Sequence, residues 1–311
     1  MKAIRFHEYG DAGVLRYEDA ERPAPAAGEV LVEVAATSFN AVDAGIRAGY
    51  LQQVFPTSLP HIPGVDVAGT VVALGAGVTR WAVGDRVIGF LSMVADGAAA
   101  EFVAAPAETL APAPKTIPLA NAAALPVGAQ TAWQTLFEHA DLQAGSRVLI
   151  NGAGGGVGGY AVQLAKRAGA YVIATAGPRS ADAVRAQGAD LIIDYTTTST
   201  VKEVTEPVDV VLNLVAAPES DIVALTGLIR DGGVIVTTAT PAAGDPDRAV
   251  RAIGMQLRTD ADQLAKLAEM VDAGELSVEV SATYPLSQAA AVHELGAAGG
   301  IRGKVLLTPT G

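Results

Sequence analysis

Six glycines lie between Asn151 and Tyr160, in the run NGAGGGVGGY, where an apolar stretch ends and a helical pattern begins. A chain gives up that much side-chain packing where something must approach its backbone closely. Val148, Leu149 and Ile150 read as a buried strand, and Val157 to Arg167 as a helix with Val157, Ala161, Leu164 and Ala165 at helical spacing. Lys166 and Arg167 suit the negative end of its dipole, and Gly169 its C-terminal cap. Strand, glycine turn and helix N-terminus form an anion site, because unbonded N–H groups and the helix dipole converge there. A pyrophosphate fits that site. The G-x-G-x-x-G match is Gly154, Gly156 and Gly159, and a register shifted by one, Ala153, Gly155 and Gly158, stays open. The stretch Ala153, Gly154, Gly155, Gly156, Val157 and Gly158 is therefore expected to carry the pyrophosphate of a dinucleotide. The competing phosphate motif, Gly-x-x-x-x-Gly-Lys-Ser/Thr, does not occur.

Which dinucleotide binds is decided at the end of the next strand, where a carboxylate would hold the ribose hydroxyl of NAD and repel a 2′-phosphate. That strand ends ATAGPRSAD, with Arg179 and Ser180 near the deciding position and Asp182 too late for it. A cation and a hydroxyl suit a phosphate, so NADPH is the expected cofactor; the competing reading of Arg179 is a solvated loop charge. Tyr195, at the end of the third strand, is expected to cover the adenosine side.

The elements that must position these groups fall into two parts of the 311-residue chain. Up to about Pro114, short β-type runs (EVLVEVAAT, GVDVAGTVVALG, DRVIGFLSMV, AEFVAAP) stand between Gly and Pro breaks, which suits a small, strongly bent antiparallel barrel. From Ala120 the strands RVLIN, YVIATA, DLIID, DVVLNLV and GVIVTTA alternate with helical stretches, the pattern of a doubly wound parallel sheet. After the helix-like DADQLAKLAEMVDAG, the runs SVEVSATYPL and GKVLLTP return to the barrel or to the junction. The expected division is 1–119 with 277–311, and 120–276. A net charge of −12 with no cationic run argues against nucleic acid. The absence of cysteine excludes disulfides, cysteine nucleophiles and thiolate-held metals. The uncharged stretch from Thr116 to Phe137 is interrupted by Pro118, Asn121, Pro126, Gln130 and Gln134, and so reads as a buried junction rather than a membrane span. The start of the chain soon meets charge and lacks a signal peptide's apolar stretch, so a cytoplasmic location without a membrane partner is expected.

The order of these blocks, with SFNAVDAGIRAGY, HIPGVDVAGTVVALGAGV, VGDRVIGF, ALPVGAQTAWQTLF, VLINGAGGGVG and RGKVLL among them, resembles the medium-chain dehydrogenase/reductase superfamily, and within it the zinc-independent quinone oxidoreductase branch. The resemblance spans nearly the whole chain. It implies an α/β protein with a GroES-like β-barrel catalytic domain and a Rossmann nucleotide-binding domain, NADPH lying in the cleft between them, and a homodimer. Zinc-dependent members carry a ligand His in a Gly-His-Glu block; here the block is Gly64-Val65-Asp66. His7, His61, His139 and His293 have no ligand spacing and are expected to be surface or structural. Without a metal to stabilise an alkoxide, the acceptor must take up charge itself, as quinones and α,β-unsaturated carbonyls do.

The resemblance places Asn40, of SFNAVD, near the nicotinamide, as a ring-orienting or carbonyl-binding amide. Thr131, of GAQTAW, is placed beside the cofactor, with the alternative of a helix-packing residue at the domain junction, and Gly303 and Lys304 match the RGK block, Lys304 with the alternative of a solvated charge. Tyr50 is open between pocket-lining proton donor and ordinary buried aromatic. Asp43 and Arg47, four apart, read as a local helix ion pair. Val215, Thr238 and Thr240 follow the fourth and fifth strands at the carboxyl edge and are expected on the nicotinamide side. Asn213 stands where many members carry Asp and is given no catalytic role. The reading is an NADPH-dependent reductase of quinones or activated alkenes; the alternatives are a biosynthetic enoyl reductase and a catalytically silent NADPH-binding protein.

Overall fold

Runs rich in β-branched residues between Gly and Pro breaks set the first strands: β1 (Lys2–Arg5), β2 (Arg16–Asp19), β3 (Glu29–Ser38) and, after helix α1 (Ala41–Ala48), β4 (Asp66–Leu74), β5 (Arg86–Phe90), β6 (Phe102–Pro106) and β7 (Leu110–Pro112). Helix α2 (Pro126–Trp133) starts on a proline, whose missing N–H is no loss at a first helical position, and it runs into a π-helical turn at Gln134–His139. Alternation follows: β8 (Arg147–Asn151), α3 (Gly158–Arg167), β9 (Tyr171–Thr175), α4 (Ala181–Ala186), β10 (Leu191–Ile193), α5 (Thr200–Glu203), β11 (Val208–Asn213), α6 (Glu219–Thr226), β12 (Ile229–Thr237) and β13 (Arg251–Gly254). The chain then returns through α7 (Ala261–Asp272), β14 (Val280–Pro285), α8 (Ala289–Ala297) and β15 (Lys304–Thr308).

The computed structural model describes residues 1–309. They fall into two units, one of Met1–Val127 with the chain from Thr259 onward, the other Gly128–Arg258. In the first unit one sheet runs β14-β15-β3-β4-β5-β7, with β6 also on β3. Its pairings are antiparallel except β14 with β15, which run parallel. Val30, Val32, Val67, Val71, Val87 and Leu110 fill the core enclosed by this sheet. A second cluster joins Phe6, Ile46, Ile62, Leu286, Val292 and Leu307, and so ties α1 and α8 to the ends of the chain.

The second unit is a six-stranded parallel sheet in the order β10-β9-β8-β11-β12-β13. The order reverses between β8 and β11, the switch point at which such sheets bind ligands beyond their strand ends. Val148, Leu149 and Ile150 are fully buried, as a strand covered by helices on both faces requires. The junction differs from the sequence expectation: the units divide at 127 and 258 rather than 119 and 276. Helix α7 is amphipathic, and its pattern is silent about which core it serves. Its last residue decides the matter, because one Asp272 carboxylate oxygen accepts the amides of Lys115 (2.7 Å) and Thr116 (2.8 Å) and the Thr116 hydroxyl (2.8 Å). Among the described residues no helix is long and apolar enough to cross a membrane.

Candidate active site

In the second unit the glycine turn leaves β8 through Gly152, whose φ of 93° favours glycine. The turn enters α3 at Gly158, one residue later than expected, with Val157 as an N-cap that offers no side-chain bond. The helix thus presents an uncapped, positive N-terminus. The glycines of the turn do different things. A Cβ on Gly154 would meet Ser180 Cβ at 2.6 Å, and one on Gly158 would meet Ala153 Cα at 2.5 Å, so these two are held by packing. A Cβ on Gly155 would meet only the Gly152 carbonyl, at an ordinary 3.4 Å. Of these three, Gly155 is the open face. The turn is also backed by α2, where a Cβ on Gly128 would come within 2.9 Å of the Gly156 carbonyl and of the Tyr160 ring. Thr131, one helical turn on and on the same side, is buried.

Several of the sequence-predicted residues gather around this turn. The Ser180 hydroxyl lies against Gly154 and donates to the Gly177 carbonyl (3.3 Å), while the Tyr195 hydroxyl stands 3.3 Å from where Gly177 would carry a Cβ. Arg179 is exposed in the same turn. Val215 packs on Gly152, with its Cγ1 2.6 Å from a Cβ built there. The Thr240 hydroxyl accepts from the Ala217 amide (3.0 Å) and donates to the Ala217 carbonyl (3.1 Å), joining the loops after β11 and β12. Thr238 is exposed, and its amide donates to the Asn213 carbonyl (3.1 Å). An anion-binding helix N-terminus, a cation and a hydroxyl beside the β9 end, and apolar cover from Val215 are what this arrangement offers a phosphorylated dinucleotide.

The first unit contains a charged cluster that sequence reasoning missed. Asp66, fully buried at the start of β4, accepts from Asn40 Nδ2 (2.8 Å), from Lys304 Nζ (3.0 Å), from the Val127 amide (2.8 Å) and from the Ser38 hydroxyl. Lys304 Nζ also donates to Asn40 Oδ1 (2.8 Å). Lys304 is therefore no solvated charge; it is 4% exposed and paired. Its partner is distant in sequence, and the only available signal was an Asp and a Lys opening two otherwise apolar strands. Both ends of the Asn40 amide are engaged, so Asn40 is a fixed group whose orientation the ion pair sets. Gly303 lies beside Glu279 and Ser281, just before β15. Tyr50 is 86% exposed after α1, which corrects its reading as a buried aromatic.

The Asp43–Arg47 ion pair also gives way. Both residues are buried, but Asp43 Oδ1 accepts the amides of Gly64 (2.9 Å) and Val65 (3.3 Å) instead. Asp43 Oδ2 and Arg47 Nε and Nη1 have no hydrogen-bond partner. Burial pushes the Asp43 carboxyl up to about 7; Asp66 adds to the rise, while the two amides and Lys304 oppose it. The folded chain then keeps a proton that the unfolded chain releases between the ordinary 3.8 and about 7. Stability is expected to fall as pH rises through that window. Asp43→Asn, which keeps the acceptor for Gly64 and Val65, should gain on the parent by a few kcal/mol between pH 4 and pH 8. Urea unfolding at both pH values measures it; an unchanged difference would contradict the assignment. Of the histidines, His61 packs edge-on against Phe6 and His293 against Phe39, and burial lowers both, His293 to about 4 with help from the Arg47 charge.

A family model described as "Alcohol dehydrogenase GroES-like domain" matches residues 26–115, and one described as "Zinc-binding dehydrogenase" matches residues 187–307. The chain is 33% identical to the chloroplast envelope quinone oxidoreductase homolog of Arabidopsis thaliana, over 99% of this chain and 98% of that protein. The chain belongs to the medium-chain dehydrogenase/reductase superfamily, in its quinone oxidoreductase-like branch. Within this superfamily it is also 31% identical to the NADPH-dependent alkenal/one oxidoreductase of the same plant, over 99% of this chain and 80% of that one. The crystal structure of Escherichia coli quinone oxidoreductase complexed with NADPH superposes with a TM-score of 0.89 at 26% identity, covering 99% of this chain and all of that one. The GroES-like and Rossmann domains expected from the sequence are thus the two parts of this fold.

Proposed function

We propose that this protein is an NADPH-dependent oxidoreductase that reduces quinones or α,β-unsaturated carbonyls without zinc. The observation that carries the reading is the open glycine turn at Gly155, set at an uncapped helix N-terminus with Arg179 and Ser180, rather than a carboxylate, beside it. The relatives named above as quinone and NADPH-dependent alkenal/one oxidoreductases support it. In this reading the backbone from Ala153 to Gly158 holds the pyrophosphate, Arg179 and Ser180 hold the 2′-phosphate, and Tyr195 covers the adenosine. Thr131, Val215, Thr238 and Thr240 line the nicotinamide side. When bound, NADPH supplies the hydride. Asn40, oriented by Lys304 and Asp66, offers a fixed amide to the nicotinamide, and the completing proton comes from solvent or from the exposed Tyr50 hydroxyl.

Zinc independence rests on Val65, an apolar side chain 3% exposed that carries no metal-ligating atom where zinc-dependent members have His, and on the absence of cysteine. It stands against the zinc in the matching family model's description. Location is read as cytoplasmic and assembly as a homodimer, although both plant relatives above are named as chloroplast proteins.

Fluorescence titration tests the cofactor. NADPH should bind more tightly than NADH, and Arg179→Ala should weaken NADPH by about 1.5–3 kcal/mol while leaving NADH nearly unchanged. Equal affinities in the parent would refute the assignment. A panel of quinones, enones and enoyl thioesters then separates a detoxifying reductase from a biosynthetic one.

A further inference from the structure

Three neighbouring parallel strands of the second unit each end an apolar run on a small polar residue: β9 on Thr175, β8 on Asn151 and β11 on Asn213. The register puts them in line. Asn213 is paired with Asn151, and Ile150 with Ala174, so Asn151 and Thr175 are the next positions on their strands. Thr175 is 1% and Asn213 0% exposed. Buried polar groups at strand ends must find partners, and these find one another.

The hydrogen bonds run in one direction. The Gly152 amide donates to Thr175 Oγ1 (2.9 Å), and that hydroxyl donates to Asn151 Oδ1 (2.8 Å). Asn151 Nδ2 then donates to Asn213 Oδ1 (2.8 Å), and Asn213 Nδ2 to the Val215 carbonyl (2.9 Å). Each side chain accepts on one side and donates on the other. The sense of the chain fixes both amide orientations, because a flipped Asn213 would set its oxygen against the Val215 carbonyl. Such head-to-tail chains reinforce themselves in a low-dielectric interior. One end is the first residue of the glycine turn; the other is the residue that packs on it.

We propose that Thr175, Asn151 and Asn213 are positioning residues, forming an uncharged hydrogen-bonded floor that locks the glycine turn and the Val215 loop into one geometry for an anionic dinucleotide. The proposal rests on the reading of that turn as the NADPH site. In this chain the amide at 213 supplies the N–H that the Val215 carbonyl accepts, which an ionised carboxylate lacks. The flanking strands β8 and β12 end in Asn151 and Thr237, and the other group on Asn213 is the Thr238 amide. None of these titrates.

Asn213→Asp therefore carries its own signature. Asn213 is fully buried, and burial holds a carboxyl at this position protonated well above the ordinary value of about 3.9; protonated, it still donates to the Val215 carbonyl, whereas ionised it cannot. NADPH dissociation constants for this variant, divided by the parent's at the same pH, should approach one at pH 5 and rise to roughly tenfold at pH 8. Thr175→Val, which breaks the other end without adding a titratable group, should weaken NADPH severalfold by the same factor at both pH values. Thermal unfolding without cofactor accompanies each titration, and if Asn213→Asp does not fold, Thr175→Val decides alone. A ratio for Asn213→Asp that does not change with pH, or parental binding by Thr175→Val, would overturn the proposal. A parent that binds no NADPH would overturn the underlying cofactor reading instead, and the floor with it.

Discussion

Gly155→Val is expected to unfold at nearly the parent's temperature and to bind NADPH on the order of 100-fold more weakly. The structure gives both halves of that result. The position has no left-handed φ, and a Cβ there meets nothing closer than 3.4 Å, so the fold accepts the change. The added side chain projects from the open face of the turn, into the space a pyrophosphate needs to reach the backbone. Gly158→Val is the contrasting variant: its Cβ would lie 2.5 Å from Ala153 Cα, and overpacking of this kind costs about 1–3 kcal/mol or more of stability. Thermal unfolding and NADPH titration on both variants should therefore separate, one losing affinity and the other stability. Gly156→Val, from the other register left open by the sequence, completes the comparison: the register that holds the pyrophosphate is the one whose variant loses most affinity at preserved stability.

The largest stability effect is expected at Lys304. Lys304→Met leaves the Asp66 carboxylate fully buried without its cation, and removing one partner of a buried pair costs about 3–5 kcal/mol. A solvated lysine would cost less than about 0.5 kcal/mol. Adding Asp66→Asn to Lys304→Met removes the stranded charge, so the double variant should recover most of the loss. The coupling energy from this cycle, obtained by urea unfolding, reports the pair directly. Additive losses would mean that the two groups do not interact.

What the sequence made legible was whatever is written locally. The β8–turn–α3 unit, five of the six strands of the parallel sheet and the cap at Gly169, which has a φ of 83°, follow from nearest-neighbour pattern; β12 begins four residues before the run read for it, and β13 was not read at all. The contents of the first unit's interior did not. Asp43 and Arg47 have helix spacing, and spacing alone favours pairing; the amides of Gly64 and Val65, about twenty residues away, outbid Arg47 for the carboxylate. Lys304 and Asp66 meet across 238 positions, a distance over which no periodicity operates. Asn213 is an intermediate case. Its departure from Asp was visible in the sequence, but its meaning required the strand register that sets it beside Asn151.

The central claim is that hydride passes from NADPH to an activated acceptor with no metal to assist. Metal-depleted protein, checked by elemental analysis, should be mixed in a single turnover with NADPH deuterated at both C4 positions and an α,β-unsaturated ketone, and the product analysed by mass spectrometry. The expected result is one deuterium at the β-carbon of the saturated product, at a rate that added zinc does not raise. Product without label, or turnover that appears only after zinc is restored, would contradict it.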